Sequence, residues 1–539
     1  MSDLRVDRSC SEAELERLGD QFIAASELYE ATLMYSFAIE DCPDVLRRAK
    51  LRLKLGSLFS LLGAGEEAAD QFQAAHSESA EGDLDLAASG LDRLASQLWM
   101  NSDTPNALEA ARKLRAFDSS GKSAWVMGGY LQEVRLTLAL GDKEAALALI
   151  AEAEQSCDAT NVDFVASLLE LKGMAYGRAG DADRAVQSCE SACALASKRS
   201  DPHSLVFKLN NAACTFRNLG LMTRALEMHE KAIAEARGRS LGWRVAYTEG
   251  SRAGTLALLG DFAGARDAIR KVRHEPKNLA CKVGEVTLGL LIGVRMADDA
   301  LLEETYDPAA LAWAMRSREP QRIGPTGAAF VEYYRYRGME KEAAALLHEC
   351  LETISSGDSA FRLLICAGRY GTEYDRLIAR TKFAGQSDTP PHRAYTKLFE
   401  AMCLTRSGNR AGADGAALEA YEIFKRLRWR YYEALALEVG GHYSDARSSY
   451  AAIGAVWDLR RLRAAPRPVG RPRHWRGRLT EQQRTIAALV AGGAGNRDVA
   501  AALGISTRTV KYHLSEIYHH YGIESRQQLS SRVASEATA

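Results

Sequence analysis

Along most of the chain, apolar residues recur at helical spacing and are interrupted by small residues at regular intervals. One unit repeats: a helix, a small residue at a turn, an alanine five positions later, then apolar residues four and seven positions beyond. Its clearest copy runs through Leu55, Gly56, Phe59, Gly63, Ala68, Phe72 and Ala75. Gly180 with Ala185 and Cys189, Gly220 with Ala225 and Ala232, and Gly260 with Ala265 and Ile269 repeat it. Gly141/Ala146, Gly338/Ala343, Gly408/Ala413 and Gly441/Ala446 extend the series, and Ser26/Ala31 and Ser102/Ala107 place serine at the turn. From Ser26 the turns fall at 26, 63, 102, 141, 180, 220 and 260. This predicts stacked helical hairpins. A residue able to take the left-handed conformation ends the first helix, alanine lets the second approach closely, and neighbouring hairpins supply the core that none has alone. The register is lost between Val272 and Gly338 and again near Thr381–His392, where Asp388-Thr389-Pro390-Pro391 reads as a loop.

The last sixty or so positions carry a different pattern, of short helices separated by glycine. Thr480 with Gln483 predicts a capping box opening a helix to about Ala491, and Gly492-Gly493-Ala494-Gly495 breaks it. Asn496 is placed to cap a helix over Arg497–Leu503, ended by Gly504; Ser506 is placed to cap a third from Thr507 to about Tyr521, ended by Gly522. Ser525 with Gln528 predicts a fourth. On the third, Val510, Leu514, Ile517 and Tyr521 form the buried stripe, which leaves Arg508, Lys511, Tyr512, Ser515 and His519 on the other face. A cationic, hydrogen-bonding helix face of this kind suits the major groove of DNA.

Charge sharpens that division. From Arg460 onward there are 14 Lys/Arg against 5 Asp/Glu, whereas the preceding residues hold 55 against 65, so the near-zero net charge hides a basic end on an acidic body. Between the two, Leu459–Arg478 holds eight arginines, prolines at 466, 468 and 472, and no acid, which predicts an extended tether whose charge can follow phosphates or simply be solvated. The expected organisation is therefore a helical-repeat sensor or interaction domain over 1–458, a linker over 459–478 and a DNA-binding domain over 479–536. Ten scattered cysteines without a C-x-x-C pair suit a reducing compartment; Cys189 and Cys193 share a helix face and are expected to be core residues. The longest apolar stretch, Val286–Val294, is far short of a membrane span, and the first residues lack the apolar run of a signal peptide, so a cytoplasmic location without a membrane partner is expected.

The run from Leu479 to Leu529 resembles the LuxR/FixJ-type DNA-binding domain. The landmarks are Leu479-Thr480, Gly493-x2-Asn496, Val499-Ala500, Leu503, Ile505-Ser506, Thr509-Val510-Lys511-x-His513, Ile517, Gly522 and Arg526-x2-Leu529. Gln483 replaces the acidic residue usual in the first helix, and His520-Tyr521 replaces Lys-Leu before the final glycine. The resemblance implies major-groove contacts from Lys511, Tyr512 and Ser515, with Arg508, Thr509 and His519 on the same helix. It also implies phosphate contacts near Asn496 and Thr507, and a dimerising fourth helix (Ser525–Ala534) bearing Arg526, Leu529 and Val533. Upstream, Leu55-Gly56-x2-Phe59-x8-Ala68-x3-Phe72-x2-Ala75 resembles the tetratricopeptide repeat, lengthened here to a period near 39–40. The fold class implied is all-α: a tetratricopeptide-like solenoid followed by a four-helix LuxR-type helix-turn-helix domain. The combination resembles the large maltose-activator-like regulators of bacteria, whose last repeat before the linker Tyr450–Arg460 also resembles, although nothing here reads as their ATPase module.

Other chemistry finds little support. Gly121-Lys122-Ser123 lacks the glycine a phosphate-binding loop needs five positions before Gly121, where Ala116 stands, and the segment upstream reads as helix rather than strand. The histidines form no metal-ligand pattern, no nucleophile–base arrangement stands out, and no cofactor site is expected. Two function classes follow. The first is a transcriptional regulator, not an enzyme, that binds a two-fold symmetric duplex as a homodimer. Its repeats receive a protein, peptide or small-molecule effector, with RNA polymerase as a further partner of that class. The second is a protein-interaction scaffold with a vestigial DNA-binding domain.

Overall fold

The computed structural model describes residues 11–25, 27–117, 123–198, 202–239, 242–273, 279–357, 360–384, 389–464, 479, 481–503, 505, 507–523 and 525–529. Among them are 29 helices and no strand. The chain divides into two compact units, Met1–Ala465 and Pro466–Ala539.

The first unit is a tetratricopeptide-like solenoid. Its hairpins form where the spacing predicts: Val45–Leu62 pairs with Gly65–Ser79, Val162–Ala179 with Ala182–Ser197, and Pro202–Asn218 with Met222–Gly238. The turn residues Gly63, Gly141, Gly180, Gly220 and Gly260 all have φ between 79° and 91°, and Ser102 takes the same left-handed conformation at φ 68°. The alanines five positions later (68, 107, 146, 185, 225 and 265) are completely buried where the paired helices cross. Asp103, Asp142, Asp181 and Asp261, one position after the turn, accept a backbone N–H of the second helix and cap it. Ser26 and Gly121-Lys122 lie outside the described residues, but the segment before the latter pair is the helix Thr104–Arg115.

Where the sequence register fails, the array continues with altered parts. Ala297, 37 positions after Gly260, makes the left-handed turn at φ 52°, and Leu302 occupies the buried place that alanine holds elsewhere. The second helix of that pair is a short one, Asp299–Thr305, and an additional helix, Pro308–Ser317, precedes Pro320–Tyr336. Asp388 lies outside the described residues, but Thr389, Pro390 and Pro391 do not continue a loop. Thr389 caps the helix Pro390–Arg406, and both prolines occupy its first turn, where a missing N–H leaves no partner unsatisfied. The arginine-rich stretch likewise begins inside the body, because Leu459–Ala464 belongs to a final helix, Val456–Ala464, packed against Tyr443–Ala452 and Leu279–Met296.

The solenoid also closes on itself. Trp99 Nε1 donates to Glu319 at 2.8 Å, Trp313 Nε1 to the Met100 carbonyl at 3.1 Å, and Ser355 Oγ to the Leu140 carbonyl at 3.1 Å. Trp429 Nε1 meets the Met222 sulfur at 3.3 Å. These pairs are separated by 220, 213, 215 and 207 residues. A near-constant separation means that a second superhelical turn is seated on the first, after about five repeats of this length. The approach is close enough that a Cβ on Gly220 would stand 2.3 Å from Leu427.

Cys189 and Cys193 face the core between Val162–Ala179 and Pro202–Asn218, and burial pushes both thiols up to about 12. No group of three or more potential metal ligands occurs among the described residues, and no described helix is long and apolar enough to cross a membrane.

Candidate nucleic-acid interface

The second unit has its own small core, in which Ile486 and Val490 of the first helix (Glu481–Ala491) meet Val499 of the second (Asn496–Leu503) and Val510, Leu514 and Ile517 of the third (Thr507–Tyr521). Gly493, at φ 94°, turns the chain between the first two helices, and Gly522, at φ 64°, ends the third. A helical turn at 526–529 follows. Thr480, Gly504 and Ser506, to which the sequence assigns caps and a stop, lie outside the described residues.

The third helix presents two stripes. Val510, Leu514 and Ile517 face inward, while Thr507, Lys511 and Ser515, each four residues from the last, are exposed and turned away from the core; Thr509 is half-buried beside them. An ammonium and hydroxyls in line along an exposed helix are groups that can donate hydrogen bonds to base edges and phosphates. Arg508, Tyr512 and His519 belong to the same helix, but their side chains are outside the described set, as is Val533.

Asn496 and Arg526 are drawn together. Arg526 Nη1 donates to Asn496 Oδ1 at 3.3 Å, and its Nη2 donates to the carbonyl of Ala494. The second helix starts one residue earlier than its sequence suggests: the cap is at Gly495, whose N–H donates to Asp498 at 2.9 Å, and Asn496 is the first helical residue. Asn496 therefore accepts a guanidinium hydrogen bond rather than capping the helix. Two of the three residues expected at a dimer face also act inside the unit, since Arg526 braces the second helix from 30 residues away and Leu529 is completely buried in the core. The sequence carries no signal for this brace, because Arg526 and Asn496 stand 30 positions apart along the chain.

Residues 478–533 match the model of the family described as bacterial regulatory proteins, luxR family. A 64-residue segment, 12% of this chain, is 41% identical to an HTH-type transcriptional regulator of Mycobacterium bovis, of which it spans 7%. A 48-residue segment, 9% of the chain, is 44% identical to a transcriptional regulatory protein of Hyphomicrobium methylovorum, of which it spans 23%. The chain thus covers well under a third of the curated relatives it matches. Among solved structures it is similar to the Rap protein complexed with competence and sporulation factor, at 12% identity and a TM-score of 0.36 over 76% of this chain and 99% of that one, a likeness too loose to bear on function. The C-terminal unit is a LuxR-type helix-turn-helix domain.

Proposed function

We propose that this protein is a sequence-specific DNA-binding transcriptional regulator whose helical-repeat body receives a protein, peptide or small-molecule signal. The observation that carries the reading is the exposed Thr507–Lys511–Ser515 stripe on a helix anchored by Val510, Leu514 and Ile517, within a unit that matches the luxR family. In this reading the third helix enters the major groove, with Arg508, Thr509, Tyr512 and His519 as further contacts. Thr507 lies beside phosphate, as does Asn496, which Arg526 orients. Two copies bind a two-fold symmetric site, joined through the outer face of the fourth helix.

The test is selection of duplexes from a random library by the full chain, followed by affinity measurement on the selected site. Lys511→Ala is expected to weaken specific binding by about 1–3 kcal/mol, and wild-type affinity is expected to fall steeply with salt as counterions are released. Unchanged affinity in the variant would remove the third helix from the groove. Absence of any selected sequence would remove the regulator reading altogether.

A further inference from the structure

The last helix of the body, Val456–Ala464, is attached unlike the others. Of its described residues only Asp458 is fully buried; Val456, Trp457, Leu459 and Leu462 remain half-exposed. The buried group is thus a carboxylate; the helix is held as well by Arg461, which donates to both oxygens of Glu438 at 2.5 Å, and by Trp457, whose ring meets that of Tyr336 edge-on at 5.0 Å. The Asp458 carboxylate enters a site built by three helices far back in the chain. Arg295 of Leu279–Met296 lies 3.7 Å from its Oδ2, Arg369 of Phe361–Tyr370 lies 3.7 Å from its Oδ1, and the Tyr431 hydroxyl of Arg430–Val439 lies 3.5 Å from Oδ1. Both arginines are themselves almost wholly buried, and Arg295 lies over the Tyr431 ring at 4.1 Å. Glu332 pairs with Arg295 and stands 4.0 Å from Arg369. Without Asp458, one buried carboxylate would face two buried guanidinium groups.

The contacts are incomplete. Asp458 Oδ2 makes no hydrogen bond, and the one short bond to this carboxylate, 3.1 Å, comes from Arg461 on the same helix. Beside the site lies a cavity of about 10 Å³, lined by Arg295, Glu332, Arg362, Cys366 and Tyr431 and large enough for about one water. The cavity borders Arg295 and Tyr431 but neither Asp458 nor Arg369, so the two buried cations hold their anion by charge at a distance. Displacing this carboxylate without a large penalty requires another anion in its place, because leaving the two cations unpaired in the interior is costly.

We propose that Arg295, Arg369 and Tyr431 form a carboxylate-binding site, filled in this structure by the chain's own Asp458, and that a small aliphatic carboxylic acid competes for it and releases Val456–Ala464. The size follows from the place to be filled, which is that of one aspartate side chain. The consequence follows from position, because the residues that lead to the C-terminal unit come directly after this helix. This coupling rests on the body being the signal receiver; the site itself does not.

Hydrogen exchange read by mass spectrometry on the full chain tests it without DNA. With acetate or succinate in place of chloride at constant ionic strength, the wild-type helix 456–464 is expected to exchange several-fold faster while the hairpins before residue 272 are unchanged. Asp458→Asn keeps the shape and removes the charge, and is expected to speed exchange of that helix about tenfold without any added acid. In Asp458→Ala, acetate is expected to slow exchange in Leu279–Met296 and Phe361–Tyr370 by refilling the vacated site. Identical behaviour in acetate and chloride would overturn the proposal. So would loss of protection throughout the body in Asp458→Asn, since the carboxylate would then be a core brace and not a replaceable anchor. The DNA affinity of Asp458→Asn against wild type reads the coupling separately, so failure to bind any duplex counts against the regulator reading and leaves the exchange result standing.

Discussion

The hairpins turning between Gly63 and Gly260 and those that follow Leu279 are built on the same plan but held by different forces. In the first region small residues at the crossings let helices approach closely, the buried carboxylates Glu133 and Glu249 pair with arginines that keep one side in water, and Glu170 forms a single pair with Lys208 that is buried on both sides. In the second, aromatic rings crowd together, as Tyr395 does with Phe361, Phe424, Trp429 and Tyr432, and the buried ions join into a network in which Arg295 and Arg369 share Glu332 and Asp458. Close approach of small side chains tolerates only one geometry and gives a regular coil. Rings and ions can be satisfied in several arrangements, and there the repeat length drifts and an additional helix is inserted.

The largest effect expected from breaking this contrast is at the buried pair Arg295–Glu332. Glu332→Ala should destabilise the protein by about 3–5 kcal/mol, because it strands Arg295 and weakens the hold on Arg369. Replacing both partners with apolar residues, Glu332→Leu with Arg295→Met, should recover most of that loss in urea denaturation. If the double variant is no better than the single, the second region is held by shape after all.

Acid should act next. In the first region burial, then the charges of Arg217 and Arg252, pushes His229 down to about 3; in the second, burial and then Lys143 pushes His392 down to about 4. Both rings are therefore neutral in the folded protein at pH values where the unfolded chain takes up a proton. Their contribution is intact above about pH 6.5 and is lost as the pH falls towards the folded values, at about 1.4 kcal/mol per unit for each. Denaturation at pH 5 should show a loss of about 2 kcal/mol from His229, and His229→Gln should flatten that part of the profile.

The smallest effects concern the turns, and they have opposite signs. Gly141→Ala, at φ 91°, should cost about 1–2 kcal/mol, whereas Ser102→Gly, at φ 68°, should gain up to about 1 kcal/mol. Thermal denaturation of the two variants measures whether the serine copy is a strained version of the glycine one.

The same contrast governs what was legible beforehand. Turn residues and crossing alanines act within one hairpin, so their spacing could be read directly. The copy at Ala297 and Leu302 escaped because neither residue is of the usual type, although the interval from Gly260 was right. Asp458 carries no signal of its role because it stands one position before the basic stretch, at the edge of the body, and its arginine partners lie 163 and 89 positions back. In the C-terminal unit the exposed Thr507–Lys511–Ser515 stripe follows from helical spacing alone. The Arg526–Asn496 brace does not, since it depends on how the helices fold back on one another.

The bonds from Trp99 to Glu319, Trp313 to Met100 and Ser355 to Leu140 have a consequence for how such a coil can change. An open stack of hairpins can gain or lose a member anywhere and simply become longer or shorter. Here, adding one hairpin between Leu140 and Trp313 would slide Trp313, Glu319 and Ser355 past their partners, as a dropped stitch misaligns all the rows above it. The number of hairpins in that interval is locked, and evolutionary variation is expected instead in loop length and in the ends of the array.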